Sequence, residues 1–436
     1  MHGPAMSQIS DSFRGGRLAR LQGFLSAERR LIKDYLSAVS GSAGRLVFSL
    51  AYFIALANAL SIPEFGLFAT ASAAGIMLSR VLAFGFVSSV YRIATIRPRL
   101  IGIFTAGFLL LALLSLPVLA AASWATFALF FSGSMPPGVF AVVVAAEALL
   151  WRPTELVIIV NNGMGKFGRA ALLAIIGVAI RAVAALAFAA FPAGGLGVWA
   201  WAYLAANGAS LLIGILFYHP RQKLALKPRL YFARLPAALY VAGAEVLFYL
   251  QMEFDKLLVL SLGGAKLAGI YAIIMRLVDL TAIPIRAFSM MLVQKMMRTP
   301  DMLASLKKRT ALEGAIFVVS TIALLAIGVL LYVFPNALGR NVAEAAPLVV
   351  LAVCVPGLRN LVEYQAELLF GRGQMLIRAL NLALLAGVKG VLLTWALASI
   401  TETRDLVLSL NWIFALIYLA SLLLTYSALR MPSKSV

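Results

Sequence analysis

Charge is scarce in this chain of 436 residues, and acid is scarcer than base: 17 Asp and Glu stand against 37 Lys and Arg, and charged residues make up only 12%. A soluble core of this length would need a far more polar surface, which excludes a water-exposed globule. Cysteine is nearly absent; Cys354 alone, inside an apolar stretch, forms no intrachain disulfide. His2 and His219 are the only histidines, one at the terminus and one where an apolar stretch ends. Their spacing builds no metal site, and no cofactor is expected. The short alternating segments of a β-barrel are missing, and the first 40 residues lack the clean apolar core of a cleavable signal.

What the chain does have is apolar length. Hydrophobic residues are 62% and mean hydropathy is +0.96. A spanning helix needs about 20 mostly apolar residues, because about 30 Å of hydrocarbon is crossed at about 1.5 Å per residue. Twelve such stretches are read at 41–60, 66–90, 101–131, 139–160, 170–191, 197–218, 235–262, 267–293, 312–334, 346–370, 378–398 and 406–428. The third is long enough to tilt or to run past the interface. The expected fold is all-α and integral to the membrane.

Basic residues crowd alternate gaps and orient the spans. The tail carries Arg14, Arg17, Arg20, Arg29, Arg30 and Lys33. The even gaps carry Arg92, Arg97 and Arg99; Lys166 and Arg169; Arg221, Lys223, Lys227, Arg229 and Arg234; Lys295, Arg298, Lys307, Lys308 and Arg309; Arg372 and Arg378; the last span is followed by Arg430 and Lys434. The odd gaps offer only Lys266, Arg340 and Arg404. Both termini are therefore expected in the cytoplasm, with the chain in the inner membrane. The net charge of +20 is mostly topology: basic loops sit against anionic headgroups, so membrane lipids are expected partners and nucleic acid is not. Residues 17–36 place Leu18, Leu21, Leu25, Ile32 and Leu36 at near-helical spacing among cations, which predicts an interfacial amphipathic helix within the basic tail 1–40.

The chain repeats itself. Gly66-Leu67-Phe68-Ala69 opens the second span and Gly269-Ile270-Tyr271-Ala272 the eighth, 203 residues later. Glu155 with Gly163-Met164-Gly165, and Glu363 with Gly371-Arg372-Gly373, stand 208 residues apart at the ends of the fourth and tenth spans. Trp151-Arg152 falls opposite Arg359-Asn360 at the same offset. Six spans per half is an even number, so the halves share one orientation, and parallel repeats place a substrate site between them near mid-membrane. The expected organisation is an N-terminal lobe 41–218, a basic linker 219–234, a C-terminal lobe 235–430 and a short tail 431–436. The paired Gly-x-Gly segments follow helices and lack Gly-Lys-Ser/Thr, so they are turns rather than phosphate loops.

Function is expected at the intramembrane charges. Cations within or bordering the spans are Arg45, Arg80, Arg152, Arg181, Lys256, Arg276, Arg286, Arg359 and Lys389; acids are Glu147, Glu155, Glu245, Glu253, Asp255, Asp279, Glu363 and Glu367. At about 2.5–3.5 kcal/mol each facing lipid, the set would cost on the order of 50 kcal/mol, so most must face a wet cavity or one another. Arg152 and Glu155, Arg276 and Asp279, and Arg359 and Glu363 are spaced to pair on one helix face. Arg80, Arg181 and Lys389 have no acid within four positions on their own helix, so each needs a partner from another helix or an anionic ligand. Arg45 and Arg286 lie near helix ends, where they can snorkel. Pro153 and Pro356 break the fourth and tenth spans beside charge and are expected hinges.

The stretch Leu60-Ser61-Ile62-Pro63-Glu64-Phe65-Gly66-Leu67-Phe68-Ala69, with Phe84-Gly85 and Val90-Tyr91-Arg92, resembles the N-terminal signature of the Wzx-type oligosaccharide-lipid flippases. Phe254-Asp255-Lys256-Leu257-Leu258, followed by Gly269-Ile270-Tyr271-Ala272, is similar to the same family's seventh and eighth spans. The resemblance implies two six-helix lobes in a V-shaped alternating-access bundle. It implies a polyprenyl-pyrophosphate-linked oligosaccharide as cargo in exopolysaccharide or O-antigen assembly, with a polysaccharide polymerase and other export proteins as partners. On that view Arg80, Arg181 and Lys389, then Arg45, Arg276 and Arg286, are the candidate pyrophosphate ligands. Glu155, Glu363, Asp255 and Asp279 are the candidates for ion coupling or gating, and no enzymatic step is expected. The alternative is a cation-coupled multidrug exporter of the same superfamily; lone acids in the first span would favour it, and that span offers only Arg45. A membrane enzyme would need larger loops than the short odd gaps supply.

Overall fold

The computed structural model describes residues 44–191, 194–298 and 306–430. The expected interfacial helix at 17–36, the tail 1–40 and the tail 431–436 lie outside them. Among the described residues every regular element is helical: α1 Gly44–Ala59, α2 Ile62–Leu78, α3 Val87–Ile96, α4 Ile101–Phe130, α5 Pro137–Ala145, α6 Arg152–Gly163, α7 Phe167–Ala190, α8 Gly195–Ile213, α9 Pro228–Arg298, α10 Leu306–Val333, α11 Arg340–Val349, α12 Val355–Gly371, α13 Met375–Ser399 and α14 Thr403–Leu429. Eight helical stretches are long and apolar enough to cross a membrane, and the pair Arg340–Ala352 and Val355–Gly371, bent by 67°, makes a ninth. The stretch 228–298 turns at Gly264, whose φ of +79° suits glycine, so it counts as two passes. α1 is a shorter apolar helix, and α5 and α6 join through residues 146–151; the described residues are those of a multi-pass membrane protein.

Element boundaries follow local chemistry. Ser61 caps α2 in a reciprocal capping box with Glu64, and Pro63 sits in the first turn, where its missing N–H costs nothing. Glu64 also accepts from the backbone N–H of Leu196, tying the start of α8 to the start of α2. α4 is the overlong third span: 30 residues reach about 45 Å, past the hydrocarbon. The linker is shorter than expected, because Pro228 starts α9 inside the range 219–234. Tyr231 closes this corner, its hydroxyl donating to the carbonyls of Ile103 and Ala225.

The repeat is visible in atomic detail. α6 and α12 end in the same cap: Gly165 and Gly373 have φ of +73° and +72°. The amide of Gly165 donates to Asn162 and that of Lys166 to Asn161, while Gly373 and Gln374 donate to Phe370 and Leu369. Both Gly-x-Gly segments are thus helix C-caps. Each of these helices also follows an irregular turn, the π-helical Ala146–Trp151 before Pro153 and the 3-10 Val350–Ala352 before Pro356. The hinge expectation falls on these paired breaks.

The repeated glycines meet each other. A Cβ on Gly66 would lie 2.4 Å from the Gly269 nitrogen, and one on Gly269 would lie 2.1 Å from the Ile62 carbonyl oxygen. Only glycine lets α2 and the second arm of α9 approach so closely. Nearby, the Asn58 amide donates to the Leu338 carbonyl, and the Asn341 amide donates to the carbonyls of Ala57 and Leu60. These contacts seal the two halves together at the end remote from the C-caps of α6 and α12 and from the basic gaps. With Cys354 replaced, Asn58→Cys and Asn341→Cys should cross-link in this conformation. Adding Gly269→Val should cut that cross-linking several-fold, read by gel shift after mild oxidation.

Candidate functional site

Between the halves lies a chamber of about 170 Å3, walled by Tyr52, Phe53 and Leu56 of α1, Phe65, Phe68 and Ser72 of α2, and residues from both arms of α9. The α9 residues supply the charge: Glu253 and Lys256 from the first arm, Arg276 and Asp279 from the second. Helical spacing puts Glu253 and Lys256 on one face, and they pair at 2.5 Å. Asp279 is held by Arg359 at 3.1 Å and Arg286 at 3.7 Å, so it does not pair with Arg276 as spacing suggested. Among the described residues Arg276 has no carboxylate within 4 Å; its guanidinium donates to Ser49 on α1. Arg45 lies one turn before Ser49, is exposed, and is within electrostatic reach of Arg181, Arg276 and Arg286. The wall is aromatic on the α1 and α2 side and keeps a surplus cation on the α9 side.

The leading candidates from the sequence stand elsewhere. Arg80 is buried in a four-member network rather than on the chamber wall. It donates to Glu155 at 2.9 Å, approaches Glu245 at 3.8 Å and lies 4.2 Å over the Tyr249 ring. Arg152, 1% exposed, completes the network with bonds to Glu155 at 2.8 Å and Glu245 at 2.7 Å, joining α6 to the first arm of α9. Lys389 on α13 donates to the Gln251 carbonyl and lies 3.6 Å from Asp255, which also accepts from the Tyr271 hydroxyl at 2.7 Å. Arg181 stacks over Trp151 at 4.1 Å and sits 3.5 Å from the Tyr203 hydroxyl, which donates to Glu147 at 2.6 Å. Each had no acid on its own helix because its partner comes from another one. Glu363 likewise pairs with Arg286, through two bonds of 2.7 and 2.8 Å, and not with Arg359.

The coupling candidates are therefore divided. Glu155 belongs to the Arg80–Arg152 network, Asp255 to Lys389, Glu363 to Arg286, and Asp279 alone reaches the chamber wall. Arg80, Arg152 and Arg359 each keep one buried guanidinium nitrogen without a hydrogen-bond partner. Lys256 is the chamber cation that sequence reasoning left unassigned. The signal was its three-residue spacing from Glu253.

No family model matches the sequence, and no curated protein matches it. Solved structures do. An inward-facing multidrug-resistance MATE transporter of the MOP superfamily superposes with a TM-score of 0.63 at 14% identity, over 91% of this chain and 99% of that one. A MOP superfamily transporter from Pyrococcus furiosus, described as having a binding pocket of reversed polarity that suggests a different function, gives 0.60 at 16% identity over 90% and 92%. The chain has the fold of MOP superfamily transporters. An outward-facing MATE transporter gives 0.57 at 13% identity over 91% and 95%.

Arg152 and Arg276 should separate by stability. Arg152→Gln leaves Glu245 only the more distant Arg80 at 3.8 Å, while Glu155 keeps Arg80 at 2.9 Å. It should lower unfolding free energy by about 2 kcal/mol, the full value for a broken buried pair being reduced by the carboxylates' partial exposure and the remaining cation. Arg276→Gln strands none and should stay within about 1 kcal/mol. Denaturant titration in detergent reads both.

Proposed function

We propose that the chain is an alternating-access transporter whose cargo is an amphiphile with an anionic head, of which a polyprenyl-pyrophosphate-linked oligosaccharide is the fullest example. The observation that carries this reading is Arg276: a cation on the chamber wall, between the repeated halves, with no carboxylate partner among the described residues. Lys256 stands on the same wall beside Glu253, Arg45 is exposed in the first turn of α1, and Arg286 is exposed but engaged by Glu363. Guanidinium and ammonium groups suit the oxygens of a diphosphate. The apolar flank of Phe53, Leu56, Phe65 and Phe68 suits the start of a lipid tail. The positive-inside pattern puts the sealed end in the periplasm, with both termini and the open end in the cytoplasm, the side from which such cargo would load. Polymerase and other export proteins would then receive the product.

A second reading is a cation-coupled multidrug exporter. Two of the three superposed structures are multidrug MATE transporters, so the comparisons favour this reading by name more than they favour lipid-linked glycans. Aromatic residues and two acids on the chamber wall would also serve a cationic drug. Against it, both wall acids are already paired with Lys or Arg, and the Pyrococcus furiosus protein is described as a pocket of opposite polarity on the same fold.

Binding by the purified protein in nanodiscs decides between them. A fluorescent polyprenyl pyrophosphate should bind, and Arg276→Gln and Lys256→Gln should each weaken it about 10–100-fold, since each lost bond to a charged group is worth about 1.5–3 kcal/mol. Ethidium should bind weakly or not at all. Tight ethidium binding with no response to pyrophosphate would overturn the anionic reading in favour of the second.

A further inference from the structure

Two intramembrane carboxylates outside the chamber are held without an ion pair among the described residues: Glu147, which accepts from Ser72 and Tyr203, and Glu313, which alone of the two also meets a buried amide with an orphan oxygen. Glu313, on the second turn of α10, is 7% exposed. Its Oε1 accepts from Tyr426 at 2.8 Å and from the Gln365 amide at 3.1 Å; its Oε2 accepts from Tyr418 at 3.0 Å. Glu155, Glu245, Glu253, Asp255, Asp279, Glu363 and Glu367 each lie within 4 Å of a Lys or Arg, and among the described residues Glu147 and Glu313 do not. Its other titratable neighbours are Tyr364 on α12, the two tyrosines of α14, and Arg309 one turn earlier on α10, which lies 5.5 Å over the Tyr426 ring. Ile285, Ile316, Leu361 and Leu368 pack beside this group as a small apolar cluster.

A second feature points to what is bound. Gln365 is fully buried, and while its NH2 serves Glu313, its own Oε1 has no donor. A proton on Glu313 turns one carboxylate oxygen into a donor. If the Gln365 amide then turns over, its orphan oxygen receives that O–H. Each protonation state thus satisfies a different part of the same cluster. We propose that Glu313 is a reversible proton-binding site, with Gln365 as the partner that reads its state. The proton comes from water at the end of the bundle that carries the basic loops, and no other bond is made or broken. Loading it weakens the acceptor that ties Tyr418 and Tyr426 of α14 to α10, which gives the proton a mechanical consequence next to the bent helix α12.

Dicyclohexylcarbodiimide, which attacks protonated carboxyls in apolar surroundings, tests this on the full-length protein. Mass spectrometry should find an adduct at Glu313 that is stronger at acid than at alkaline pH. Glu313→Gln should abolish that adduct alone. Tyr418→Phe with Tyr426→Phe removes two donors to the carboxylate and should change the yield of that adduct several-fold at a given pH. An adduct that is absent at every pH, one equal at acid and alkaline pH, or a yield unmoved by the tyrosine changes would overturn the proposal. Protection by sodium but not potassium would also overturn it, making the site one for a metal cation. The readout contains no cargo, so it stands or falls apart from the anionic reading of the chamber.

Discussion

Everything in this fold answers to the cost of placing charge among apolar helices. Arg152 shows the constraint at its strictest: a guanidinium 1% exposed, inserted just after an irregular turn and bonded to Glu155 and Glu245 at under 3 Å. One of those carboxylates is on its own helix and the other lies across the halves. The network therefore fixes both the packing of α6 and the approach of α9. Asp279 plays the matching part in the second half, held by Arg359 and Arg286. Once these demands are met, few charges remain free, and those few define what the chamber can bind. Arg276 is informative because it was left over.

The duplication supplies the geometry in which that remainder matters. Gly66 and Gly269 are equivalent in the repeat and touch one another, so the contact is self-complementary in the way a two-fold interface is. A glycine pair is a contact without side-chain interlock, which suits a seal that must part. The caps at Gly165 and Gly373 and the breaks before Pro153 and Pro356 repeat as well. Each half thus carries its own irregular span beside its own buried arginine. On the proposed reading, alternating access needs two stable arrangements of one scaffold, and the paired breaks are where the halves would bend.

Much of this was legible in the residues. Apolar length gave the passes to within a few positions, because hydrocarbon thickness leaves helices little choice. Offsets of 203 and 208 residues paired the Gly-x-Gly turns and the helix starts of the two halves, but that Gly66 and Gly269 touch was not legible. Partner choice was not legible. Arg276 and Asp279, and Arg359 and Glu363, have the spacing of helical pairs, yet each finds something else. Inside a bundle, partners three or four residues away compete with carboxylates from neighbouring helices, and packing decides. The same reason explains Arg80 and Lys389, which have no acid within four positions on their own helices and whose partners come from α6 and α9. Glu313 went unnoticed because nothing in the spacing distinguishes a carboxylate held by tyrosines from one facing water.

The distribution of satisfied and unsatisfied charge also explains how one scaffold can serve opposite cargoes. The helices, breaks and seals depend on buried networks such as Arg80–Glu155–Arg152–Glu245, which lie off the chamber wall and need not change with the cargo. The wall itself has only four charged residues, and two of them neutralise each other at 2.5 Å. Changing the sign of the chamber then requires one or two substitutions facing water and leaves the buried pairs untouched. Pocket polarity is therefore free to vary while the fold persists. At 14–16% identity the architecture of MOP transporters is retained here, and the cargo must be argued from the wall residues themselves.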